Sequence, residues 1–179
     1  MKKNLIFCDS HKKIVLKDIS KLYKNKKISF LLRSLTDVGD VWLIGGAIKD
    51  IGLFNKKPKD YDFVLISDED YYLPKIEGMK TLKNSFGGLK VSIDNVDFDI
   101  AQKKRADGIY SMFQLNVDFL AINIATESLI SREYNEGIIS GKLKELNDNL
   151  RHPVEHKNKE RIEKYCKKLK LEYVQKGDQ

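Results

Sequence analysis

The chain has 179 residues, 41% hydrophobic and 33% charged, with a formal net charge of +7; this excludes a disordered or fibrous chain and leaves room for one well-packed domain. No apolar run approaches the ~20 residues of a membrane-crossing helix, and the apolar stretch at residues 5–8 is too short for an export signal, so a cytoplasmic protein with no membrane partner is expected. Residues 1–30 hold nine Lys against two Asp, residues 31–141 hold 13 basic and 17 acidic side chains, and residues 142–179 hold 11 basic and seven acidic, so basic ends flank an acidic middle, a distribution suited to a carboxylate-rich centre approached by a polyanion.

In chain order, Ile19, Leu22, Tyr23, Ile28, Leu31, Leu32 and Leu35 recur at helical spacing and predict one or two helices over residues 17–35. A turn at residues 37–40 leads into Val41-Trp42-Leu43-Ile44, the short apolar run of a buried strand. Gly45-Gly46 ends it, and residues 47–54 read as a short helix. A basic loop, Asn55-Lys56-Lys57-Pro58-Lys59, precedes a second strand starting at Asp60-Tyr61-Asp62 and running to Ile66. Residues 67–85 are expected to hold a helix and connections. After the Gly87-Gly88 turn, two β segments at 89–93 and 96–101 meet at Asp94-Asn95 as a hairpin, and a second hairpin is expected to join residues 119–125 to 129–134. From residue 141 onward the chain reads as helix with a break at His152-Pro153, its last apolar face formed by Ile162, Tyr165, Cys166 and Leu169. Cys8 and Cys166 form neither a metal-type pair nor a disulfide framework, in keeping with a reducing compartment.

The stretch LIGGAIKDIGLFNKKPKDYDFVLI, residues 43–66, places two devices in series. A strand ending in Gly45-Gly46 and followed by a helix lets backbone N–H groups approach a phosphate. Asp60 and Asp62, two apart on a strand, share one face, where hard carboxylate oxygens can hold Mg²⁺ together with substrate phosphates. Two such ions serve displacement at phosphorus. A third carboxylate from a neighbouring strand would complete the site; Asp97 and Asp99 share one face and are both candidates.

The combination of GGAIKD with KPKDYDFVLI resembles the head domain of the class II tRNA nucleotidyltransferase and bacterial poly(A) polymerase family, whose pattern is G-G-x-x-R-D then D-x-D. FDIAQ resembles its third-carboxylate strand, favouring Asp99; DFLAINIA resembles its R-R-D-F-T-I-N-A segment, with Asn123 at the Asn; and KNKER, residues 157–161, falls where the family carries E-D-x-x-R. Lys49 stands where the family has Arg, Val117 and Asp118 where it has two arginines, and Asn158 where it has Asp.

The resemblance implies an α/β (α+β) nucleotidyltransferase fold, a small mixed sheet with flanking helices. It implies a head-like domain over residues 1–140 and a helical neck-like extension over 141–179. It also implies a metal-dependent transfer of a nucleoside monophosphate from an NTP to an acceptor hydroxyl, preferably an RNA 3′ end. In that reading Asp60, Asp62 and Asp99 are catalytic and hold two Mg²⁺ (or Mn²⁺) ions, Gly45, Gly46 and Lys49 hold the triphosphate, and Asn158 and Arg161 contact the base. A protein partner could supply the family's RNA-binding body. The alternatives are a nucleotidyltransferase acting on a protein or small molecule, and an inactive RNA- or nucleotide-binding module. Two lesser signals remain: His152-Pro153-Val154-Glu155-His156 spells an inverted zinc-protease motif but lacks a third ligand, and Arg105 with Lys103 and Lys104 reads equally as a phosphate contact or a solvated turn.

Overall fold

A computed structural model describes residues 5–84, 88–147 and 155–174. Two helices open the chain, α1 (Asp9–Leu22) and α2 (Lys26–Thr36), so the helical pattern expected from residue 17 begins at Asp9. Asn25 separates them by capping α2, its side-chain oxygen accepting from the N–H groups of Lys27 and Ile28 at 2.9 and 3.2 Å. Then come β1 (Asp40–Ile44), α3 (Gly46–Gly52), β2 (Tyr61–Ile66), β3 (Lys80–Lys83), β4 (Leu89–Ile93) and β5 (Val96–Lys103). After 3-10 segments at Ala106–Met112 and Asn116–Asp118 follow β6 (Ala121–Asn123), β7 (Leu129–Ile130), α4 (Arg132–Ser140), β8 (Lys142–Lys144), α5 (Glu155–Leu169) and β9 (Glu172–Val174).

The seven-stranded sheet has the order β3-β4-β5-β2-β1-β6-β7. The β2–β5 pair is parallel and the other pairs in this sheet are antiparallel. This is the mixed α+β architecture expected, with a larger sheet than anticipated. Strand alternation divides the residues between two faces. Val41, Leu43, Phe63, Leu65, Val91, Phe98 and Ile100 point to one face and join Ile19, Leu31, Leu32 and Ile48 from the helices in the main core. The other face is covered only in part: Ile44, Val64 and Ala121 pack against Ile109, Phe113 and Phe119, with Trp42 and Ile66 at the margin. The opposite end of that face, over β5, β4 and β3, carries polar side chains. Gly39 lets the chain turn tightly into β1, since a methyl group there would collide with the Ile66 carbonyl oxygen.

Three expectations are corrected. Residues 67–79 form no helix: Tyr71, Leu73, Ile76 and Met79 still pack on the core, but Pro74 and Gly78, the latter at φ 77°, hold the segment irregular. The second hairpin exists as β6–β7 but stops at Ile130; α4 takes over, ending at Gly141 with φ 73°, a left-handed glycine cap. The C-terminal stretch is not helix alone, because β8 and β9 flank α5 and pair in parallel. Leu143, Leu169 and Leu171 bring these elements into the main core. The β4–β5 hairpin agrees with expectation, Asp94 and Asn95 both adopting positive φ (49° and 63°), as a tight twisted hairpin turn requires. No helix among the described residues is long and apolar enough to cross a membrane.

Candidate active site

The sheet register sets the site. On the partly covered face, one row of side chains runs across six strands: Leu82 on β3, Lys90 on β4, Asp99 on β5, Asp62 on β2, Ile44 on β1 and Ala121 on β6. Asp62 and Asp99 are register partners on adjacent parallel strands, so their side chains leave the sheet on the same side, about 4.8 Å apart at the backbone. The register thus places Asp99, and not Asp97, beside Asp62. Asp97 is exposed at the rim, opposite Ser92. Asp60 lies immediately before β2 and lines an open depression of about 280 Å³ with Asp97, Asp99, Lys59, Lys80 and Lys90.

On the other side of Asp62 stands the Gly45-Gly46 turn. Gly45 has φ 71° and ψ −125°, a combination that side chains resist. A methyl group there would sit 3.8 Å from Asp62 Oδ2, whereas Gly46 has open space above it. The Gly45 N–H donates to the Leu120 carbonyl oxygen at 3.0 Å, so a phosphate over this turn would rely on Gly46 and not on the Gly45 N–H.

Burial, together with the charges of Asp60, Asp99 and Asp118, pushes the Asp62 carboxyl up to about 7. The Lys90 ammonium offsets this negative charge only in part, and hard oxygen donors in that condition fit Mg²⁺ or Mn²⁺ chemically. The three carboxylates share a face but do not converge: among the described residues no group of three His, Cys, Asp or Glu side chains is arranged to hold a metal ion. Asp99 leans outward, with Oδ2 3.8 Å from Lys90 Nζ and Oδ1 accepting from Asn84 at 3.4 Å.

Lys49 is not at the surface. Its Nζ donates to the Val117 carbonyl oxygen (2.9 Å), to Asp118 Oδ1 (3.0 Å) and to Tyr165 Oη (3.1 Å), which uses all three ammonium protons. Burial works against its charge, but Asp118 and Tyr165 outweigh this and hold the ammonium above its ordinary pKa. Burial likewise opposes the charge on Asp118, and the adjacent Lys49 and Arg161 cations hold that carboxyl below the usual range. These bonds tie α3 to the 116–118 turn and to α5, and the ammonium expected to hold the triphosphate is engaged with them in this structure.

Arg161 and Asn158 share this network. Arg161 donates to Gln114 Oε1 at 3.0 Å and to Asp118 Oδ2 at 2.7 Å, while Asn158 is buried and accepts from Gln114 Nε2 at 3.4 Å. Tyr165 Oη donates to Asp118 Oδ1 at 2.6 Å. Asp118 is thus the hub of the arrangement, and its negative charge reaches Asp62. Sequence reasoning noted Asp118 only as a replacement for arginine. The missed signal was a lone carboxylate inside the apolar run Val117-Asp118-Phe119-Leu120-Ala121-Ile122, which a folded protein buries only with partners. Asn123 closes the β6–β7 turn, its Oδ1 accepting from Ala125 and Thr126 N–H groups at 2.9 Å. Arg105 pairs with Asp107 at 3.2 Å on an exposed turn. Residues 152–154 of the H-x-x-E-H motif lie outside the described residues, as does Gly87. Gly88 donates to Asn84 Oδ1 at 2.9 Å, which supports the turn reading.

No family model matches this sequence, and no match to it was found among curated proteins. Solved structures do resemble it. The Thermotoga maritima CCA-adding enzyme complexed with tRNA matches with a TM-score of 0.55 and 17% identity, over 87% of this chain and 42% of that one. A CCA-adding enzyme in complex with ATP matches with a TM-score of 0.53 and 19% identity, over 88% and 43%. A complex of a tRNA-processing enzyme matches with a TM-score of 0.50 and 18% identity, over 76% and 40%. The fold is nucleotidyltransferase-like. The chain spans about two fifths of the length of these structures.

Proposed function

We propose that this chain is a metal-dependent nucleotidyltransferase that moves a nucleoside monophosphate from an NTP to an acceptor hydroxyl, with an RNA 3′ end as acceptor. The observation that carries the reading is the register pairing of Asp62 with Asp99, directly beside the open space over Gly46. The fold likeness to CCA-adding enzymes supports it, and the basic flanking segments favour a polyanionic acceptor.

Asp60, Asp62 and Asp99 would hold the divalent ions. Such ions, when bound, lower the pKa of an attacking hydroxyl and neutralise charge on the phosphates. The chain's own groups do the rest. Gly46 leaves room for the phosphates, and the positive-φ turn at Gly45 keeps side chains away from Asp62. The acceptor oxygen attacks the α-phosphorus, the bond to the β-phosphate breaks, pyrophosphate leaves with the electron pair, and the hydroxyl proton passes to the Asp99 carboxylate. Half-buried Arg161 and, behind it, buried Asn158, both bonded to Gln114, would form the wall facing the nucleotide.

Incubation with each radiolabelled NTP, Mg²⁺ and total RNA tests the proposal. Label on RNA that disappears with Asp62→Ala is the expected result. Label on the protein or a small molecule would move the acceptor to another class, and no incorporation by the unaltered chain with any NTP would refute transferase activity.

A further inference from the structure

The row of side chains that contains the carboxylates continues past Asp99 onto an uncovered part of the sheet. Next to Asp99 comes Lys90, with its side chain 56% exposed, and beyond it Leu82, which is 68% exposed. One row further along the same face stand Lys80, Ser92 and Asp97. All four residues of the edge strand β3 are exposed. Lys59 borders the same depression, and among the described residues neither Lys59 nor Lys80 forms an ion pair. At the other end of the sheet, this face is closed by Ile109, Phe113 and Phe119. The two ends of one face therefore differ in kind, and the carboxylates stand at their boundary.

We infer that the open face over β3, β4 and β5 seats the acceptor's single-stranded phosphodiester backbone, with Lys80 and Lys59 as its phosphate contacts. The inference rests on the transferase reading above. In-line displacement puts the attacking and leaving oxygens on opposite sides of the phosphorus. With the NTP phosphates over Gly46, on the β1 side of Asp62, the hydroxyl arrives from the β5 side, which is the side that carries the lysines. Two strand spacings separate Asp99 from β3, about 10 Å, the reach of one or two nucleotides from the terminal hydroxyl. Carboxylates alone would repel a polyanion at this entrance. Lys59, Lys80 and Lys90 offset Asp60, Asp97 and Asp99 there, and exposed Leu82 offers apolar contact to a sugar or base.

The test is a pair of binding measurements on the full chain: anisotropy of a fluorescein-labelled 12-nucleotide single-stranded oligoribonucleotide at several salt concentrations, and equilibrium dialysis with ATP alone. Lys59→Glu/Lys80→Glu should weaken oligonucleotide binding by about ten-fold or more and flatten the dependence of log K on log salt by about one to two. ATP affinity should change by less than about two-fold, since neither residue borders Gly46. Lys80→Gln, a milder change on an exposed strand, should produce part of the same flattening. Unchanged oligonucleotide affinity and salt slope in both variants would overturn the inference. So would a parallel loss of ATP affinity, which would assign the lysines to the triphosphate. Failure of the transferase reading shows separately, as absent incorporation of label with the salt slopes still distinguishing the variants.

Discussion

Asp62→Asn separates the electrostatics of the carboxylate cluster from its chemistry. Burial and the neighbouring negative charges push the Asp62 carboxyl up to about 7, whereas in the unfolded chain it titrates near about 4. Below about pH 4 the group is protonated in both states and costs nothing. As pH rises towards 7 the unfolded chain ionises freely while the folded chain does not, so stability is lost across that window and the loss is complete above about 7. The distance from about 4 to about 7 corresponds to at most about 4 kcal/mol. Water at the open sheet face screens these charges, and about 1–3 kcal/mol is expected. The amide keeps the shape and removes the charge. In urea unfolding with EDTA at pH 8, Asp62→Asn should therefore be more stable than the unaltered protein by that amount, with the gap closing towards pH 4. Adding Mg²⁺ should stabilise the unaltered protein and not the variant. A variant no more stable at pH 8, or a gap independent of pH, would refute the argument.

The hub at Asp118 predicts an asymmetry. Asp118→Asn leaves the Lys49 ammonium and the Arg161 guanidinium without their anion and should cost about 3–5 kcal/mol at pH 7. Lys49→Met leaves Asp118 still bound to Arg161 and Tyr165 and should cost about 1–3 kcal/mol; urea midpoints of the two variants in the opposite order would contradict the hub. Because the Asp118 carboxyl is held below its ordinary range, its contribution is present above about pH 4 and lost as pH falls through the lower folded value, so the deficit of Asp118→Asn should shrink in acid. Gly45→Ala forces a side chain into a backbone conformation it resists and should cost about 1–3 kcal/mol, read as a lower Tm together with a raised KM for NTP and little change in RNA affinity. The Tyr134 hydroxyl is buried without a hydrogen-bond partner among the described residues, and its pKa is pushed up to about 12, chiefly by burial. Tyr134→Phe should thus stabilise by up to about 1 kcal/mol, measured by thermal unfolding.

What was legible in the sequence was local or repeated in a short span. The alternation of Tyr61, Asp62 and Phe63, the Gly-Gly break and the Asp94-Asn95 turn each encode their geometry within a few residues. The Asp99 partnership was legible only by resemblance, since the register partners Asp62 and Asp99 lie 37 positions apart in the chain and the residues alone left Asp97 open. The helix expected within residues 67–85 is absent from 67–79, where Pro74 and the positive-φ Gly78 keep the chain irregular. Residues 131–134 misled in the other direction: Ser131 before the helix and Gly141 after it were start and stop signals, and Tyr134, Gly137 and Ile138 form a buried helical face. The buried contacts of Lys49 were out of reach, because its partners lie 68, 69 and 116 residues away and no local pattern announces them.

An edge strand exposed along its whole length is an invitation to foreign β-strands, which can add themselves to its free N–H and C=O groups. Strand β3 answers that hazard with a lysine at each end, Lys80 and Lys83, whose charges oppose the approach of another such edge. A nucleic acid drawn to Lys80 would cloak one face of the strand and at the same time cancel part of the charge that opposes such pairing. Acceptor binding there would couple colloidal behaviour to catalysis through one short strand, and the protein would be most prone to self-association where its lysines are neutralised but no polynucleotide covers the edge.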